Sequence, residues 1–175
     1  NWYEHFQANG YDLDKEPKMF DAIYTGTETR EGLITDQHLQ PYESFQIVRY
    51  FDNIASRRNL GGWVDTFDIR YVDRYAEQLW DTLLAKAPEL MLFNWHNLLD
   101  EAQPGARSAW QGDHTTLDFD EILKRHQQSG SAAAPNMATV AGYSVAEVDK
   151  VVGELGTPIG IAGYRPYDAV GEDFL

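Results

Sequence analysis

The sequence predicts an α/β chain: three βα units of a parallel (β/α) barrel, followed by a further α/β segment. Three observations carry this. Short apolar, β-branched runs begin near residues 20, 60 and 90. Between them lie stretches whose apolar residues recur at helical spacing. The spacing of roughly 30 to 40 residues between strand starts is that of a strand plus a crossover helix.

The elements follow in order. Residues 2–8 read as the end of a helix stopped by Asn9-Gly10. Phe20 to Thr25 is strand language, held between Pro17 and Gly26. Gly26-Thr27-Glu28-Thr29-Arg30 is a polar turn after it. From about Asp36 to Ser56, Phe45, Val48, Phe51 and Ile54 recur at helical spacing, with Pro41 near the start, where a missing N–H costs least. Leu60 to Phe67 is the second strand, entered through Gly61-Gly62. Val72, Tyr75, Ala76, Leu79, Trp80, Leu83 and Leu84 then mark an amphipathic helix to about Lys86, which Pro88 stops. Leu90 to Trp95 is apolar almost throughout, the pattern of a strand buried on both faces.

After Asp100 the texture changes. Residues 101–118 are polar, 118–128 could be helical, and 127–135 are small and low in complexity, like a linker. Met137 to Ala141 is a strand candidate, and Pro158 to Ala162 another. Ser144-Val145-Ala146-Glu147 reads as a capping box opening a helix that runs to Leu155 and ends at Gly156. The expected organisation is a barrel part over 1–100, a polar linker with a helix over 101–135, and the start of a second α/β segment over 136–175. A complete eight-stranded barrel needs about 250 residues. The chain has 175, opens at Asn1 and closes on Gly-Glu-Asp-Phe-Leu, so it is expected to be a piece of a longer protein.

A net charge of −14 argues against a nucleic-acid partner. No apolar run approaches the roughly 20 residues of a membrane span. There is no cysteine, hence no disulfide and no thiolate metal site. Five Trp, ten Tyr and eight Phe are enough both to fill a core and to stack on sugar rings.

In a parallel sheet all strands end on one side, so the residues just past them converge. That rule selects Glu28, Asp65, and Asn94, Trp95 and His96. Neighbouring strands lie about 4.8 Å apart. Glu28 and Asp65 can therefore stand at the separation glycoside cleavage requires, about 5–5.5 Å for retention or about 6.5–9.5 Å for inversion. The competing reading is structural: Glu28 bonds its own turn, and Asp65 caps the next helix. Asp68 and Asp73 suit the N-terminus of that helix. Arg30 pairs with Glu28 or binds a substrate carboxylate. Trp63, two residues before Asp65, shares its face. Trp95 is a sugar platform or a core residue, and His96 is a lone histidine. His5, His38, His114 and His126 show no metal spacing. Neither a phosphate loop nor a nucleophile elbow is present.

Phe-Asp-Ala-Ile-Tyr-Thr-Gly-Thr-Glu-Thr-Arg (20–30), Gly-Gly-Trp-Val-Asp-Thr-Phe (61–67) and Leu-Phe-Asn-Trp (92–95) resemble the second half of a TIM-barrel glycoside hydrolase of bacterial type. The resemblance covers about residues 15–100, and the tail 162–175 looks like the opening of a following α/β domain. It implies hydrolysis of glycosidic bonds within a larger carbohydrate-active enzyme, with Glu28 and Asp65 as acid and nucleophile or base in unassigned order. Tyr24, Arg30, Trp63, Asn94, Trp95 and His96 would hold the sugar, with no cofactor and no metal. The alternatives are a non-catalytic carbohydrate-binding or structural barrel remnant, or a metal-assisted hydrolase using His96 with Asp65. The expected partners are a carbohydrate and the remainder of the barrel, or a second copy covering the open sheet edges. The resemblance slightly favours a periplasmic or secreted location.

Overall fold

A computed structural model of the chain describes residues 10–26, 43–55, 58–65, 72–102 and 119–159. The order is α1 (Glu16–Met19), β1 (Ile23–Gly26), α2 (Glu43–Ile54), β2 (Asn59–Asp65), α3 (Val72–Leu84), β3 (Glu89–Phe93), α4 (Trp95–Leu98), α5 (Phe119–Gln128) and α6 (Met137–Val152). The strands form a three-stranded sheet in the order β1-β2-β3, and both pairings are parallel. The mixed α/β class and the three strands thus match the expectation from the sequence. Strand β1 runs three residues later than its apolar run at its start and one later at its end.

α3 is the hub. One side of it packs with Val64 of β2, Ile122 of α5 and Met137, Val140 and Ala141 of α6. A second cluster joins Leu13, Ile47, Val48 and Phe51 to Ala85 and Ala87 just past its end. Polar ties fix the neighbours. Trp80 Nε1 donates to the Ser144 carbonyl at 2.7 Å, and Asn59 Nδ2 donates to the Val48 carbonyl at 3.1 Å. Lys86 Nζ reaches the Val152 and Leu155 carbonyls at 2.5 Å each. A cation there complements the negative end of α6.

Four expectations are corrected. Met137 to Ala141 is no strand but the opening of α6, where Met137, Val140, Ala141, Ser144 and Val148 fall on one buried helical stripe. The capping box that opens this helix is Asn136 with Thr139, each side chain bonding the other's backbone amide. Ser144 lies mid-helix, its hydroxyl donating to the Val140 carbonyl at 2.7 Å, and the helix ends at Val152 rather than Leu155. Third, α3 ends at Leu84, before Pro88, and Lys86 turns the chain with a left-handed φ of 66°. Last, β3 stops at Phe93 and is not buried on both faces, since Met91 and Phe93 are each 47% exposed. Leu92, on the face of Val64, is also 38% exposed, so the helices cover β3 only in part.

The helix expected over 118–128 is α5. The low-complexity stretch is exposed from Gln127 to Ala134, yet its end is anchored: Ala102 N donates to the Pro135 carbonyl at 2.9 Å, and Met137 N to the Asp100 carbonyl at 3.0 Å. Pro158 and Ile159 form no strand, with Ile159 97% exposed; residues 160–162 lie outside the described ones. So do the expected helix over 2–8 and the start of the helix expected from Asp36. Among the described residues no helix is long and apolar enough to cross a membrane.

Candidate active site

Because β1, β2 and β3 run parallel, their C-terminal ends lie on one side of the sheet. Gly26 pairs with Trp63, and Asp65 pairs with Phe93, so β2 and β3 end level. Asp65 is the last residue of β2, and its backbone position is as the sequence predicts; its side chain lies outside the description. Glu28 and Arg30 also lie outside the described residues.

Side chains alternate between the two faces of each strand. Val64 and Leu90 meet the helices. Tyr24, Trp63, Glu89, Met91 and Phe93 share the opposite face. Trp63 and Phe93 meet edge to face with ring centroids 5.6 Å apart. Below them, Tyr24 donates its hydroxyl to the Glu89 carboxylate, which raises the phenol pKa because the bond favours the protonated phenol.

Past β3 the chain turns at once into α4, through a cis Phe93–Asn94 peptide. Asn94 is the N-cap, its Oδ1 accepting from Asn97 N at 3.1 Å. That oxygen is hydrogen-bonded within the helix. Trp95 and His96 therefore sit on the first turn of α4 rather than on the strand. Trp95 is 72% exposed, and the two rings stand nearly perpendicular with centroids 6.1 Å apart. An exposed indole braced by a neighbouring ring can stack on the apolar face of a sugar. Among the described residues, no three His, Asp or Glu side chains group to hold a metal ion.

Three residues of this face escaped the sequence reading: Glu89, Met91 and Phe93. Phe93 is level with Asp65, and Glu89 is the partner of Tyr24. Period-two alternation of Glu89, Met91 and Phe93 against Leu90 and Leu92 was the available signal, masked by the apolar character of the whole run.

Residues 1–154 match the model of a family described as probable glycosyl hydrolase, catalytic domain. The chain belongs to this family. A curated relative of this glycosyl hydrolase domain is an uncharacterized protein of Saccharolobus solfataricus, 26% identical over 168 residues. The match covers 92% of this chain and 27% of the relative, so the chain spans about a quarter of that protein's length. No solved structure matches the chain.

Proposed function

We propose that this glycosyl hydrolase domain contributes one sector of a (β/α) barrel, and that it cleaves glycosidic bonds with Glu28 and Asp65 at the C-terminal rim of its strands. The observation that carries the reading is the register of the parallel sheet. Gly26, the last residue of β1, pairs with Trp63, two residues before Asp65 ends β2, and Glu28 follows Gly26 by two residues in the sequence. Two carboxylates following the ends of neighbouring parallel strands suit one glycosidic bond, one protonating the leaving oxygen and the other attacking carbon or activating water. Trp63 and Phe93 supply an apolar floor, and Trp95, with His96 behind it, stands where a sugar ring would stack. The family membership supports the reaction class.

The test is hydrolysis of aryl glycosides by the longer parent protein. Glu28→Gln and Asp65→Asn are each expected to lower kcat by about 10²–10⁴-fold, while circular dichroism stays unchanged. Wild-type rates in both variants would reject the pair. Retained sugar binding without turnover in the parent would favour the non-catalytic carbohydrate-binding alternative. A barrel sector leaves the site open to water, so residues 1–175 alone are expected to be inactive.

A further inference from the structure

Helix α6 lies beside α3 and runs in the same direction. Trp80, within α3, donates to the Ser144 carbonyl in the middle of α6, and Lys86, just past α3, reaches the Val152 and Leu155 carbonyls at the end of α6. Because α3 ends at Leu84 and leads into β3 at Glu89, both helices run against the strands. Both therefore begin at the end of the sheet where the strands finish. That is the place of the crossover helix following β3. Residues 94–136 are then the connection from β3 to its own helix, and its base is pinned. Met137 N donates to the Asp100 carbonyl at 3.0 Å, Ala102 N donates to the Pro135 carbonyl at 2.9 Å, and Glu101 forms an antiparallel bridge with Asn136. This base directly follows α4, which carries Trp95 and His96.

We infer that residues 127–134 of this connection border the proposed sugar site on its β3 side and bind neutral sugar units beyond the bond being cleaved. The inference rests on the sugar-site reading above. Connections at the C-terminal ends of parallel strands are where such a fold shapes its substrate site. Residues 127–134 are exposed throughout and run into the rim end of α6. Their course is fixed rather than loose: the His126 ring bonds the Ala133 carbonyl at 2.8 Å, and Ser129 Oγ donates to the His126 carbonyl at 2.6 Å. Gln127 and Gln128 close α5 and are exposed, and each amide can donate to one sugar hydroxyl while accepting from another. Neither carries charge. A uronic-acid chain would meet a net charge of −14, and repulsion of like sign favours neutral sugars.

The test is binding, in a protein containing this domain, of cellotetraose, xylotetraose, mannotetraose and maltotetraose, with tetragalacturonate as the anionic probe. Calorimetry identifies the tetrasaccharide bound most tightly. The double substitution Gln127→Ala with Gln128→Ala should raise its Kd about tenfold, the loss of two hydrogen bonds, while the thermal melt stays in place. The absence of cysteine allows a second readout. An environment-sensitive fluorophore on Ala132→Cys should respond to that tetrasaccharide, with the same midpoint as the calorimetry, and not to the corresponding methyl monosaccharide. The same label on Asp149→Cys, exposed nearer the other end of α6, should stay silent. A Kd within about twofold of wild type in the double variant, or a silent label at position 132, overturns the inference and leaves the sugar site standing. Tetragalacturonate bound as tightly as the neutral probes overturns the substrate class. Binding of no member of the panel rejects the sugar site itself, and this inference with it.

Discussion

Tyr24 and Glu89 lie on the two outer strands of the sheet, yet the phenol of one donates directly to the carboxylate of the other. They meet across Gly61, which pairs with both and has no side chain to stand between them. A Cβ on Gly61 would come within 2.1 Å of the Glu89 carbonyl oxygen, a contact only backbone movement could relieve. Gly61→Ala is therefore expected to destabilise the chain by roughly 2–3 kcal/mol, as a shifted denaturation midpoint. Gly142→Ala, on the exposed side of α6 with no atom within 4 Å of the new Cβ, should stabilise by about 0.5–1 kcal/mol. Equal effects at the two glycines would remove the close-approach argument.

Asp81 sets a pH dependence. Its position within α3 is partly buried, and this burial, with Glu77 one turn earlier adding repulsion, pushes its carboxyl from 3.8 up to about 7. The folded chain thus holds this proton to higher pH than the unfolded chain. The contribution of Asp81 is fully present below about pH 4 and is lost as pH rises through about 7, because ionisation then costs more in the folded state. Between pH 4 and pH 8 the loss should be roughly 1–3 kcal/mol. Asp81→Asn should flatten that part of the stability profile and raise Tm at pH 8 but not at pH 4. A wild-type slope retained in the variant would assign the titration elsewhere.

The start of α6 tests where its capping box lies. Asn136 Oδ1 accepts from Thr139 N at 2.9 Å, and Thr139 Oγ1 accepts from Asn136 N at 3.3 Å. Asn136→Ala should cost about 1 kcal/mol in urea denaturation. Ser144→Ala removes a hydroxyl bonded within its own helix and should change stability by less than about 0.5 kcal/mol. A larger loss at Ser144 than at Asn136 would move the cap back to where the sequence alone suggests it.

These cases mark how much of the molecule could be read from its sequence. Strands and helices of the βα units were legible wherever period and punctuation agreed, as in Val72 to Leu84, where the apolar stripe is unambiguous. Ser-x-x-Glu at 144–147 misled because a capping motif is local, whereas the stripe from Met137 to Val148 is longer and buries more surface. Leu90 to Phe93 misled differently: an all-apolar strand does not reveal which face is covered, and its neighbours decided that. At the candidate site, the strand-end position of Asp65 followed from strand direction. The capping of α4 by Asn94 did not, because Asn serves equally as a sugar ligand and as a cap.

Asn94 offers the sharpest separation of those two roles. As an N-cap it would act at the proposed sugar site only through α4, by holding Trp95 and His96 in place. Asp accepts the same backbone bond, whereas Ala cannot. Loss of a cap costs about 1 kcal/mol, equivalent to roughly a fivefold change in an equilibrium that depends on the ordered turn. At the proposed sugar site, Asn94→Ala should weaken sugar binding or raise KM about fivefold in an active protein containing this domain, and Trp95→Ala should do so by at least as much. Asn94→Asp should restore the wild-type value, since the cap survives while the amide's donors are gone. A direct sugar contact through that amide predicts the opposite order, with Asn94→Asp as damaged as Asn94→Ala. Measuring KM for the three variants on one aryl glycoside, beside their thermal melts, decides between a residue that touches the substrate and one that positions the indole beside it.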